Sequence, residues 1–120
     1  MSGAAPTSPG ALNSAISNFM VRLITEYAGR GPVQARTYYE GDMVCVVLQD
    51  TLTRGERNLL RDGQDDLVLS TRRAYQAAMR QEAIAGIEDL TGRKVRAFLS
   101  DNHLDPDIAV ECFVLQPQGD

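Results

Sequence analysis

The pentapeptide CVVLQ at Cys45–Gln49 returns as CFVLQ at Cys112–Gln116, and these two segments hold both cysteines of the chain. No other feature restricts the fold as strongly, because the likeness extends well beyond five residues. Shifted by 63 positions, Leu12, Ile16, Met20, Ile24 and Tyr27 fall on Tyr75, Met79, Ala83, Ile87 and Leu90, and Gly29-Arg30 falls on Gly92-Arg93. After one deletion Val33 meets Val95 and Ala35 meets Ala97, and after a longer second loop Cys45 meets Cys112. Each copy therefore reads helix, stop, strand, turn, strand, so the chain is an αββ unit used twice.

Local signals agree with this reading. Leu12, Ile16, Phe19, Met20, Leu23, Ile24 and Tyr27 form one apolar stripe at helical spacing, with Ser8 as cap and Pro9 suited to the first turn; a helix is predicted over 11–28, stopped by Gly29. "VQARTYY" and "MVCVVLQ", joined by "EGD", predict a hairpin. "TRGE" at Thr53–Glu56 has the spacing of a capping box and opens a short helix ending near Gly63. A long helix is predicted over 66–91, with Tyr75, Met79, Ala83, Ile87 and Leu90 inward and Gly92 as its stop. "KVRAFLS" and "PDIAVECFVLQ" make the second hairpin, around the polar loop "DNHLD". The fold class expected is a two-layer α+β domain over residues 11–117, with a four-stranded antiparallel sheet and both long helices on one face. Residues 1–10, small, polar and Pro-rich, read as a disordered tail.

At 120 residues the chain has room for one modest core. Net charge is -4, which disfavours nonspecific binding to nucleic acid or to an anionic membrane surface. "MSGAAPTSPG" lacks the basic and apolar regions of a signal peptide, and no apolar run approaches the length of a transmembrane helix. The expected location is cytoplasmic, with membrane association only through a partner.

Several residue groups invite a chemical reading. Cys45 and Cys112 sit in apolar runs with no nearby Cys or His at metal spacing and no CxxC, so they read as small buried hydrophobes. Asp101, Asn102, His103, Asp105 and Asp107 crowd one loop. Oxygen ligands and an imidazole suit a divalent cation, but the same residue types favour turns, and a hairpin loop is the expected role. No P-loop, dinucleotide fingerprint or nucleophile–His–acid motif is present, so neither a cofactor nor catalysis is expected. Arg72, Arg73, Arg80 and Glu82 in "TRRAYQAAMRQE" read as a solvated helix face.

The sheet's second face matters most for function. With Val33, Ala35, Met43, Cys45, Val47, Val95, Ala97, Leu99, Val110, Cys112 and Val114 placed toward the helices, Tyr38, Val44, Val46, Leu48, Phe98, Phe113 and Leu115 would face away, among Arg36, Arg96 and Glu111. Such a face is too apolar for water. Arg36, Tyr38, Val46, Phe98, Glu111 and Phe113 are thus the expected interface, for a homodimer or another partner, with Arg36 and Glu111 able to pair across a two-fold axis.

"EYAGRGP" (Glu26–Pro32), "TRRAYQAAMRQE" (Thr71–Glu82), "LTGRKV" (Leu90–Val95) and "SDNHLDPDIAVECFVL" (Ser100–Leu115) resemble the MpsC family, formerly classed as a domain of unknown function. The resemblance spans nearly all of the chain after its first residues. It implies an accessory or regulatory role beside a bacterial sodium-translocating, membrane-potential-generating system, in contact with membrane transport subunits. It carries over no active-site residues. The rival expectation, from another class, is a small-ligand or metal-sensing regulatory domain that uses the 100–107 loop.

Overall fold

The computed structural model describes residues 8–118. Among them are three helices, α1 (Pro9–Ala28), α2 (Arg54–Arg61) and α3 (Asp65–Thr91), and four strands, β1 (Gln34–Glu40), β2 (Met43–Gln49), β3 (Val95–His103) and β4 (Ile108–Leu115). The strands form one antiparallel sheet in the order β1-β2-β4-β3. The two hairpins thus meet through their second strands, and Cys45 lies directly opposite Cys112. The repeated pentapeptide marks the seam of the molecule.

Each element starts and stops where local chemistry dictates. Ser8 Oγ accepts from Ala11 N at 3.1 Å and caps α1, with Pro9 and Gly10 in its first turn. Residues 1–7 of the expected tail lie outside the described residues. Gly29 and Gly92 end the two long helices at φ 79° and 69°, left-handed backbone that a side chain resists. The capping box forms as predicted: Glu56 N donates to Thr53 Oγ1 at 3.1 Å, and Thr53 N donates to Glu56 Oε1 at 2.9 Å. Behind each glycine stop, an arginine grips the other end of the sheet. Arg30 Nη1 donates to Asp50 O and Leu52 O, both at 2.7 Å, and Arg93 Nη1 and Nη2 donate to Gly41 O and Gln116 O, both at 2.8 Å.

Helices α1 and α3 pack on one face of the sheet, α1 against β1 and α3 against β3, and against each other. Their stripes, Ile16, Met20, Leu23 and Ile24 on α1 and Met79, Ala83 and Ile87 on α3, meet Val44, Val46, Leu48, Phe98, Ala109, Phe113 and Leu115 of the sheet. Phe98 and Phe113 stack with ring centroids 4.7 Å apart.

This core keeps the expected faces of β1, with Ala35 inward and Tyr38 outward, and reverses those of β2, β4 and most of β3. Val44, Val46, Leu48, Phe98, Phe113 and Leu115 face the helices, and so does Glu111, whereas Met43, Cys45, Val47, Leu99, Val110, Cys112 and Val114 face away. The physical reason is volume. The gap under two helices takes branched and aromatic side chains, which gain most from leaving water, and the smaller cysteines and valines go to the other side. A bulge at Arg96 adds a further change of phase, so Val95 points inward while Ala97 points outward.

Candidate functional site: an uncovered sheet face and a buried carboxyl

The strand register arranges the outer face in rows. Arg36, Val47, Val110 and Asp101 form one row from edge to edge, Tyr38, Cys45, Cys112 and Leu99 the next, and Glu40, Met43, Val114 and Ala97 the third. The two central strands contribute apolar or thiol side chains to all three rows. Tyr38, Met43 and Leu99 are 53%, 45% and 58% exposed. Charge appears only on the edge strands, basic Arg36 and acidic Glu40 on β1 and acidic Asp101 on β3. Among the described residues none of the three joins an ion pair; Asp101 Oδ1 accepts only its neighbour's N–H, from Asn102 at 2.8 Å. An apolar centre with charged margins is the anatomy of a contact surface.

Of the six residues expected at an interface, Arg36 and Tyr38 lie on this face. Val46, Phe98, Glu111 and Phe113 do not; they are buried beneath the helices. Arg36 therefore cannot pair with Glu111, which is on the opposite side of the sheet. The cysteines belong to the outer face, half-buried, with their sulfurs 2.7 Å apart and both free. Burial between neighbouring strands, with the facing Cys45 thiol, pushes the Cys112 thiol up to about 12.

Beneath the sheet lies a polar centre that draws in Glu111, expected at the interface, and Arg72, expected in solvent. Glu111, only 1% exposed, accepts from Ser100 Oγ on one oxygen and from Gln76 Nε2 at 3.3 Å on the other. Gln76 and Asn102 exchange amide hydrogen bonds, at 3.1 and 3.2 Å. Arg72, one helical turn before Gln76, is buried too, and its Nη1 lies 3.4 Å from Glu56 Oε1 and from Thr51 O. Desolvation pushes the Glu111 carboxyl up from its usual 4.5 to about 7, opposed by the Ser100 and Gln76 hydrogen bonds and the Arg72 charge. A gap of about 10 Å³ borders Tyr27, Tyr75, Arg72, Gln76 and Glu111, room for about one water. The solvated face expected for Arg72 is thus corrected. Arg72 and Gln76 continue the line of Val68 and Met79 on the inner side of α3. That spacing was the available signal, hidden because both residues are polar.

The 100–107 loop residues do not converge. Asp107 accepts from Thr51 Oγ1 and Leu52 N, each at 2.9 Å, and lies 3.7 Å from Arg57, which fastens the loop to the start of α2. His103 Nδ1 donates to Pro106 O at 2.8 Å within the loop, Asn102 turns inward to Gln76, and Asp105 is exposed. Asp101, Asn102 and His103 lie in β3 and not in the loop expected of them, because the β3–β4 ladder runs on to His103 opposite Ile108; Asn102, His103 and Asp107 each have a partner within the fold. Beside it an open cleft of about 630 Å³ runs along Leu52, Arg57, Leu60, Arg61, Asp65, Leu104, Asp105 and Asp107.

The family model described as "Na+-translocating membrane potential-generating system (MpsC)" matches residues 8–117. The chain belongs to the MpsC family. This MpsC chain is also similar to the uncharacterized protein YbcI of Bacillus subtilis (strain 168), 31% identical over 98 residues that cover 78% of this chain and 77% of the relative. No solved structure matches it. Among the described residues of this MpsC protein, no helix is long and apolar enough to cross a membrane.

Proposed function

We propose that the chain is a non-catalytic accessory or regulatory protein of a bacterial membrane cation-transport system that generates a membrane potential, and that it acts by protein–protein contact. It works in the cytoplasm and reaches the membrane through a partner. The family supplies the system. The observation that supplies the means is the uncovered sheet face, where Tyr38, Met43 and Leu99 stand in water around half-buried cysteines and valines. Contiguous apolar strand surface of this kind is stabilised by covering it, and a protein surface is the covering that strands select.

The test is affinity capture of the tagged chain from native membranes, with the membrane potential of a deletion strain read by a potential-sensitive dye. Integral subunits of a cation transporter should be captured, and the sodium-dependent potential should fall on deletion and return on complementation. Capture without such subunits, together with an unchanged potential, overturns the reading.

A further inference from the structure

The outer face carries more than apolarity: its charges are arranged for a particular occupant. We infer that this face is closed by a second copy of the chain, packed sheet on sheet about a two-fold axis parallel to the strands that runs between β2 and β4. The inference rests on reading the face as a contact surface and names what covers it; the transport partner then meets the dimer.

Two identical faces can meet about a two-fold axis only if that axis lies in the plane between them. With the axis parallel to the strands, each row meets its own row reversed, so β1 lies over β3 of the other copy. Arg36 then comes over Asp101 at both margins, because the two share a row. Tyr38 comes over Leu99, and the cysteine pair over its own image at the centre. Glu40 falls over Ala97, beside the exposed Arg96 at the bulge. With the axis perpendicular to the strands, β1 instead lies over β1 and β3 over β3. About the cysteine row that axis brings Arg36 over Glu40 of the same edge strand and Asp101 over Ala97, so Arg36 and Asp101 do not meet. The parallel axis is the one that sets the basic and acidic ends of a row against each other at both margins. It also accounts for Arg36 and Asp101 being exposed and without an ion-pair partner among the described residues.

The area suffices. Four strands about 4.8 Å apart and about 26 Å long present roughly 500 Å² per copy in flat projection. Closing two such faces removes about 1,000 Å² from water, the lower bound for a specific interface, and side-chain relief adds to it. Aligned sheet packing at about -30° is the ordinary way such faces meet.

The experiment uses the purified full chain alone, so its outcome does not depend on any membrane partner. Light scattering on a concentration series should give twice the 13.1 kDa chain mass in the micromolar range. Arg36→Asp should raise the dimer dissociation constant at least tenfold, and Arg36→Asp with Asp101→Arg should restore it to within a few-fold of wild type. Cross-linking gives the register. In a Cys45→Ala, Cys112→Ala background, mixing an Arg36→Cys chain with an Asp101→Cys chain and adding a bismaleimide that spans the roughly 10 Å between packed sheets should yield a covalent heterodimer. Each chain then carries a single thiol, so every cross-link joins two chains. A wild type that stays monomeric at about 100 μM overturns the inference, as does a dimer that neither responds to the charge swap nor cross-links between positions 36 and 101. A monomer that nonetheless captures transporter subunits, and loses them on Leu99→Asp, refutes the second-copy reading and keeps the proposed function. A dimer that captures no membrane subunit does the reverse.

Discussion

Glu111 is a carboxylate buried between the sheet and α3, and its cost depends on pH. A carboxyl that titrates near 7 when folded and near 4.5 when unfolded holds its proton more tightly in the folded state. Stability from this residue is therefore fully present below about pH 4.5 and is lost as pH rises through 7. The shift corresponds to about 3 kcal/mol across that window. Glu111→Gln keeps the shape and most of the hydrogen-bonding capacity without the charge. It should flatten the pH dependence and leave the variant more stable than wild type at pH 8 by about 1–3 kcal/mol, with little gain at pH 4.5. Urea melts at the two pH values would show it, and a variant less stable than wild type at pH 8 would mean that the Ser100 and Gln76 contacts outweigh the desolvation of the charge.

At the scale of elements, α1 and α3 approach closely because α3 carries Gly86 where the ring of Phe19 lies. A Cβ there would fall 2.0 Å from Phe19 Cζ, so the ring would have to leave its place against the core. Gly86→Ala gains about 1 kcal/mol of helix propensity. It loses more through overpacking and exposed ring surface, and a net destabilisation of about 1–2 kcal/mol is expected in thermal or urea unfolding. Elements of this kind were largely legible in the sequence. The stripe of α1, the glycine stops, the capping box and both hairpins rest on local signals of spacing and backbone freedom, and each appears near its predicted place, the largest difference being β3, which runs three residues past Ser100 into the predicted loop. What the repeat could not fix was strand phase. CVVLQ and CFVLQ are apolar at consecutive positions, so neither contains the alternation that tells one face of a sheet from the other. Polar markers were present in Arg36 and Asp101, but they sit at the ends of a row whose register depends on β2–β4 pairing across half the chain. Gln76 goes unmarked and Arg72 reads as solvated for a different reason: an inward stripe is recognised by apolar residues, and these two are polar residues satisfied by other buried polar groups.

For the whole molecule, the result of the corrected phase is one sheet with two working faces. The inner face binds the chain's own helices through large side chains, and the outer face is built of smaller ones and left uncovered. The two faces should therefore answer the same substitution in opposite ways. Phe113 is fully buried and stacked on Phe98, so Phe113→Asp removes an aromatic side chain from the core and places an unpaired carboxylate there. Truncation alone costs about 3–5 kcal/mol. The buried charge adds enough to approach the whole stability of a domain this size, commonly about 5–15 kcal/mol. Leu99 lies one residue further on in β3 from Phe98, on the other side, and is 58% exposed. In dilute solution, where the chain is monomeric, Leu99→Asp should change unfolding free energy by less than about 1 kcal/mol, as surface substitutions do. Far-UV and near-UV circular dichroism of the two variants at low concentration separates the outcomes: Phe113→Asp should lose its near-UV signal and its cooperative transition, and Leu99→Asp should keep both. If Phe113→Asp stayed folded while Leu99→Asp unfolded, the helices would have to lie on the face that carries the cysteines, and the row that joins Arg36 to Asp101 would be buried beneath them.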